Sequence, residues 1–281
     1  MVRSRSTAPA VSTAPRLRRA YFESRHGQLH VHYAIPAGGG FDEATTLLCL
    51  HQSPMSARVF DSFLKVMGAD RSVYAPDTPG YGESDGPASR PSIGDYAGGM
   101  AEFVDTMRFR KIDVLGYHTG ALIAAELALL RPDVVRKLVL VGVPLVNDVD
   151  RAAFRKSPWP LPPLEDGSHL SVEWQRSVQW RGAGVSIEQL AAAFAEKLRA
   201  GAAASWGARA VMDYPAVERL RALTQPTLVI RPKDDLWDIT PRARSVLRAA
   251  TYVDLPQCGF GLFDVAADEI GKTCRAFLDQ R

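Results

Sequence analysis

Residues 111–142 read KIDVLGYHTGALIAAELALLRPDVVRKLVLVG, and this stretch decides the architecture. KIDVLG (111–116) is a short apolar run of strand type, and GYHTG (116–120) is a turn bounded by glycines. An Ala- and Leu-rich segment follows that is too long for a strand, and then a second apolar run, KLVLVG (137–142). Strand, tight turn, helix and strand make a parallel βαβ unit, whose strands are buried on both faces and therefore read as continuous apolar runs. The middle residue of the turn is His118.

The same rhythm extends outward from this unit. TTLLCL (45–50) and SVYAP (72–76) precede it, and PTLVIR (226–231) and TYVDL (251–255) follow it. At the front, QLHVHYAI (28–35) alternates with period two behind AYFES, which predicts an opening antiparallel hairpin. The expected fold class is therefore α/β, with an eight-stranded, mostly parallel sheet and helices on both faces. Between Pro144 and about Leu223 the strand rhythm stops. SPWPLPP, VEWQRSVQWRGAG and SIEQLAAAFAEKLRAGAAASWGARAVM carry Ala, Arg, Pro and Trp instead, and the last reads as one or two amphipathic helices broken at glycine. The expected organisation is a leader over 1–18, a core over 19–144 and 224–281, and a helical cap inserted over 145–223. Trp159, Trp174, Trp180 and Trp206 fall in that insertion. They build its own small core or line an apolar ligand pocket, with Trp159 and Trp180 the pocket candidates.

Composition narrows the function classes. Hydrophobic residues at 46% and charged residues at 23% suit a globular chain with a sizeable core. A net charge of +3 argues against nucleic acid as a partner, since much of the excess sits in the Arg-rich, acid-free first 19 residues. That segment reads as a disordered leader, an organelle-targeting role being the alternative. No apolar run approaches the ~18 residues of a membrane-spanning helix. Cys49, Cys258 and Cys274 match neither a disulfide framework nor a zinc site, so a reducing cytoplasm is expected. No cofactor or metal is called for. The oligomeric state is left open, a homodimer included.

Taken together, these runs and loops resemble the α/β-hydrolase superfamily over about residues 19–281. GYHTG falls where that superfamily has its nucleophile elbow, G-x-S-x-G, with His118 in place of serine. LHQSPMS (50–56) resembles the His-Gly-x-Pro oxyanion loop with Gln52 for Gly, and PDTPGYGESD (76–85) resembles the D-x-x-G-x-G-x-S loop. The acid loop RPKDDLWD (231–238) and the terminal loop LPQCGFGLFD (255–264) follow in the family's chain order.

The resemblance implies a nucleophile, a histidine and an orienting acid. Alignment puts the acid at Asp235, with Asp234 and Asp238 as less favoured neighbours and Asp148, after the sixth strand, as the alternative. The family's histidine position is Phe260, which takes no proton. Serine-type hydrolysis therefore cannot run, and His118 becomes the reactive candidate, as nucleophile or general base. The polarity of the helix N-terminus is expected to lower its pKa. The resemblance further implies an oxyanion hole from the backbone N–H groups of Thr119 and Ser53, with His51 holding the loop and Gln52 beside it.

The remaining histidines attract simpler readings. His30 and His32 share one face of the second strand and are expected to face solvent, and His169 lies in the insertion. Three functions follow for a hydrophobic small-molecule substrate. One is hydrolysis of an ester, thioester or lactone. The second is acid–base chemistry of the lyase, cyclase, decarboxylase or cofactor-free oxygenase kind. The third is ligand binding on an inactive scaffold.

Overall fold

The structure, a computed structural model, describes residues 15–37, 44–156 and 159–280. Most of the expected leader, residues 1–14, lies outside them. Eight strands form one sheet: β1 (Arg18–Ser24), β2 (Gly27–Ala34), β3 (Ala44–Leu50), β4 (Arg71–Pro76), β5 (Ile112–Tyr117), β6 (Val135–Val141), β7 (Thr227–Pro232) and β8 (Thr251–Leu255). Their order is β1-β2-β4-β3-β5-β6-β7-β8. β1 and β2 form the predicted hairpin, β2 runs antiparallel to β4, and every later pairing is parallel.

Helices cover both faces of the sheet. They are α1 (Asp61–Met67), α2 (Ile93–Thr106), α3 (Thr119–Leu130), α4 (Asp148–Lys156), α5 (Ser168–Gln179), α6 (Ile187–Arg199), α7 (Trp206–Asp213), α8 (Ala216–Arg221), α9 (Leu262–Val265) and α10 (Ala267–Leu278). α2 starts with a capping box in which Ser92 and Asp95 satisfy each other's backbone N–H. α3 is buried from Thr119 to Ala128, which explains its Ala-rich sequence: small side chains let a helix lie close on the sheet. The approach is tightest at the turn. A Cβ on Gly116 would fall 2.2 Å from the Gly120 carbonyl oxygen, and one on Gly120 would fall 2.0 Å from that of Leu50. Two apolar layers result. One packs α2 and α3 against the sheet around Leu122, Val114 and Leu140; the other packs α1, α9 and α10 against the opposite face around Phe60, Leu115 and Phe263.

Helices α4–α8 lie between β6 and β7 in the chain. The long Ala-rich segment divides into α6 and α7 with the break at Ala200–Ser205. Buried Glu126 on α3 accepts from Tyr214 and Arg219, which fastens the end of the insertion to the sheet layer. No helix among the described residues is long and apolar enough to cross a membrane.

His30 and His32 do not face solvent. Both are buried, because the loop after β4 and the start of α1 cover that face of β2. Each meets an acid there: His30 Nδ1 donates to Asp77 at 2.8 Å and His32 Nδ1 to Asp61 at 2.6 Å. An alternating strand pattern shows which side chains share a face, but not what chain-distant element covers it.

Candidate active site

β5 delivers His118 to the edge of the sheet in a strained conformation, φ 50° and ψ −115°. Among the described non-glycine residues, Arg108 alone shares a positive φ. Such a backbone costs ~1–3 kcal/mol and persists only where its surroundings impose it. Here the His118 N–H donates to Val141 O at 2.9 Å, and its carbonyl accepts from Ala121 N at 2.8 Å in the first turn of α3. The strand and the helix thus hold the turn from both ends, and the imidazole projects between them.

The loop after β7 supplies its partner. Asp234 is fully buried, and its Oδ2 lies 2.8 Å from His118 Nε2. The carboxylate accepts only, so Nε2 carries the proton and Nδ1 of the neutral ring carries the lone pair. Asp234 is itself held: Oδ1 accepts from the Leu236 N–H at 3.0 Å, and the Tyr117 hydroxyl reaches Oδ2 at 3.4 Å. Gly142, at φ 58° beyond β6, leaves the room for this pairing, since a Cβ there would fall 2.6 Å from His118 Cδ2.

Asp235, the acid that alignment favours, is placed differently. Its side chain is 47% exposed and its Oδ1 stands 3.9 Å from Nδ1, on the pocket side of the ring. The direct bond goes to the preceding residue because the turn at Leu236 directs Asp234 inward. Asp238 is exposed, and Asp148 is wholly exposed in an ion pair with Arg151. The ring's proton affinity also departs from expectation. Burial pulls its pKa down, but the charge and hydrogen bond of Asp234, with the charge of Asp235, outweigh burial and raise it above the ordinary histidine value. The helix N-terminus does not dominate, because two acids stand within 4 Å of the ring.

The loop after β3 lies opposite. His51 is buried; its Nε2 accepts from the Thr78 N–H at 2.8 Å and its Nδ1 donates to Gln52 O at 2.9 Å. Those two bonds define a neutral tautomer, and burial accordingly lowers its pKa. His51 therefore staples the loop to the segment after β4. Asp77 does the same from below, accepting from Ala57 N at 2.7 Å, Glu83 N at 2.9 Å and His30. Thr119 opens α3, so its N–H has no acceptor within the helix. Gln52 and Ser53 are buried, and Gln52 Oε1 has no hydrogen-bond partner among the described residues.

His118, Gln52 and Ser53 open on a cavity of about 570 Å³. Its wall joins the sheet edge (Gln52, Ser53, Tyr117, His118, Asp235, Phe260) to the insertion (Trp159, Trp180, Phe194). Phe260 stands 5.6 Å from the His118 ring, centroid to centroid, and its carbonyl accepts from the Gly182 N–H at 3.0 Å. Both Trp159 and Trp180 reach the cavity, whereas Trp174 packs on Phe194 inside the insertion. His169 caps a neighbouring turn through Leu164 N. Cys49, Cys258 and Cys274 are buried free thiols.

Tyr81 and Tyr117 are buried in the core, yet both carry polar contacts. The Tyr81 hydroxyl donates to Ala203 O at 3.1 Å and accepts from Gly207 N at 2.8 Å, tying the insertion to the core. Tyr117, Asp234 and Gly142 complete the setting of His118; the two glycine-adjacent strand ends were the only local signals of it.

His118, Asp234 and Asp235 offer donor atoms within 4.8 Å of one another, enough in number for a metal ion. The carboxylates approach opposite ring nitrogens, however, which suits proton handling better than a single shared ion. One nitrogen of the imidazole is thus tied to a buried acid, and the other, on the side of Asp235, is free to exchange a proton.

Known proteins share this framework. The chain is 26% identical over 144 residues to epoxide hydrolase 4 of Mus musculus, spanning 50% of this chain and 39% of that protein. It is 31% identical over 112 residues to a putative 2-succinyl-6-hydroxy-2,4-cyclohexadiene-1-carboxylate synthase of Bacillus subtilis, spanning 39% of this chain and 40% of that protein. The matched segments thus span less than half the length of these curated relatives. Among solved structures, an esterase from Exiguobacterium antarcticum superposes with a TM-score of 0.75 at 17% identity, covering 92% of this chain and 99% of that one. The enol-lactonase from Burkholderia xenovorans LB400 superposes with a TM-score of 0.70 at 16% identity, covering 93% and 100%. At such identities the superpositions speak for the fold alone. The alpha/beta hydrolase fold family model matches residues 45–236, from β3 through the acid loop, and the chain belongs to that family.

Proposed function

We propose that the cavity is the active site of an enzyme for a hydrophobic small-molecule ester, thioester or lactone, with His118 as general base. The observation that carries this reading is the Nε2–Asp234 bond of 2.8 Å, which leaves Nδ1 as the basic nitrogen toward the cavity. It favours base over nucleophile, because the sterically freer ring nitrogen is the one already engaged. In the reaction, water attacks the carbonyl carbon as Nδ1 takes its proton, and Asp234 stabilises the imidazolium that forms. The N–H groups of Thr119 and Ser53 hold the oxyanion. The tetrahedral intermediate then expels the alcohol or thiol, which recovers the proton from Nδ1. Phe260 excludes bulk water from the ring. Residues 145–223 serve as a cap over the core formed by 19–144 and 224–281, and the three buried thiols suit a reducing cytoplasm.

The test is turnover of short p-nitrophenyl esters and a simple lactone by the wild-type chain and by His118→Ala. Multiple turnovers abolished by the substitution support the reading; equal rates in both proteins overturn it.

A second reading keeps His118 as the base and removes water from the reaction. Phe260 favours it, since the family's second proton-transfer side chain is absent. The oxyanion hole would then hold an enolate, and the same two proteins incubated with an enolisable ketone would show His118-dependent deuterium exchange in place of hydrolysis. A pure binding role is disfavoured by the strain and acid pairing invested in His118.

A further inference from the structure

Far from His118 in sequence, the insertion places two cations in the same cavity. Lys197 on α6 and Arg176 on α5 both line it. Both bind one acid: Lys197 Nζ donates to Glu173 Oε2 at 2.6 Å and Arg176 Nη1 to Glu173 Oε1 at 2.8 Å. Glu173 is buried and also accepts from Trp159 Nε1 and Leu161 N, each at 3.1 Å. Four donors fill the lone-pair sites of one carboxylate. Glu173 is therefore saturated, while its two cations are not.

Lys197 shows the deficit most clearly. It is 9% exposed, and among the described residues Glu173 is the one hydrogen-bond acceptor of its ammonium, which has three N–H donors. The Trp159 ring stands 4.9 Å from its ammonium, and the charge of Asp235 favours its protonated form while that of Arg176 opposes it. Burial pulls the Lys197 pKa below the ordinary lysine value, with Glu173 the main opposing influence. Buried donors are ordinarily matched by acceptors. The other charged groups of the cavity are already engaged: Glu196 with Arg58 at 3.2 Å and Ser56, Asp264 with Ser62 at 3.2 Å, and Asp235 beside His118. Two cations on one saturated carboxylate leave one net positive charge on the insertion side of the cavity, while the carboxylates of Asp235 and Asp264 stand on its core side.

We propose that Lys197 and Arg176 form an oxyanion-binding subsite, so that the molecule accepted by the cavity carries a carboxylate or phosphate-type group at one end and an apolar body between it and His118. This deepens the catalytic reading above by naming the substrate class: an acidic ester, lactone or ketone. The aromatic wall of Trp159, Trp180 and Phe194 takes the apolar body. Charge-assisted hydrogen bonds from a desolvated ammonium and a guanidinium then give the selectivity.

The experiment is calorimetric titration with phenylbutyrate, phenylpropylphosphonate and the neutral phenylbutyramide. The proteins are wild type, His118→Ala, Lys197→Met, Arg176→Met and the double variant Glu173→Gln/Lys197→Met, which avoids stranding a buried carboxylate. Circular dichroism verifies that each is folded. At least one acid is expected to bind wild type and His118→Ala alike and to lose roughly tenfold or more in affinity in Arg176→Met and in the double variant. The amide is expected to bind all the proteins equally and more weakly than that acid. Preference for the carboxylate or for the phosphonate distinguishes the two oxyanion types. An amide that binds wild type as well as both acids do, or acid binding undiminished in Arg176→Met and the double variant, overturns the subsite. Because binding is read without turnover, acid-selective binding with inert esters would sink the hydrolytic reading alone. Ester turnover without charge selectivity would sink the subsite alone.

Discussion

A side chain at Gly142 and the imidazole of His118 cannot occupy the site together: a Cβ on Gly142 would stand 2.6 Å from His118 Cδ2 and 2.8 Å from Nε2. The residue beyond β6 thus determines whether the elbow histidine reaches the acid beyond β7. Gly142→Ala must also adopt φ 58°, which an alanine accepts at a cost of about 1–2 kcal/mol. The expected result is a melting point a few degrees lower and a larger loss in kcat, of the order of 10²-fold, because a displaced base loses its alignment. Parallel thermal unfolding and ester kinetics read both. Unchanged kcat would show that the ring does not need Asp234.

Asp234 and Asp235 should separate under substitution. Asp234→Asn keeps the shape but removes the charge and offers Nε2 the wrong partner, so kcat should fall by ~10³–10⁴. Asp235→Asn, at a half-exposed carboxylate 3.9 Å from the ring, should cost about tenfold or less. Equal losses would make the two acids a functional pair.

The pH profile carries a sign. Activity needs the unprotonated Nδ1, so it rises with pH through the His118 pKa, which the acids hold above the ordinary value. The acidic limb of kcat/KM should therefore lie above pH ~6.5. In Asp234→Asn, burial acts with less opposition and the limb should move to lower pH while the plateau drops. A limb that stays in place would assign the titration to another group.

Asp77 organises the loops under the site through Ala57 N, Glu83 N and His30. Asp77→Ala strands three donors, two of them fully buried, and should cost ~3–5 kcal/mol, read as a lower denaturation midpoint in urea. A loss below 1 kcal/mol would mean that the loops are set elsewhere.

Tyr81 is the bridge from core to insertion. Tyr81→Phe removes the acceptor of the Gly207 N–H and the donor to Ala203 O, for a loss of ~1–3 kcal/mol. Hydrogen exchange should quicken first in residues 200–213, with KM raised more than kcat is lowered. Uniform exchange across the chain would assign Tyr81 to global stability alone.

Taken by itself, the sequence determined the strands and their βαβ rhythm, the break in that rhythm after β6 and the glycine-flanked turn at His118. Each of these is written in local apolar periodicity or in glycine spacing, which act over a few residues. It did not determine which acid meets the histidine. His118 and Asp234 are 116 residues apart, and the bond between them rests on an inward turn at Leu236, a gap at Gly142 and the parallel registers of β5, β6 and β7. The burial of His30 and His32 was equally out of reach, since the acids that receive them stand 47 and 29 residues away. The rise in the His118 pKa followed from the same placement, because proton affinity in a closed site depends on charges within a few ångströms in space, whatever their distance along the chain.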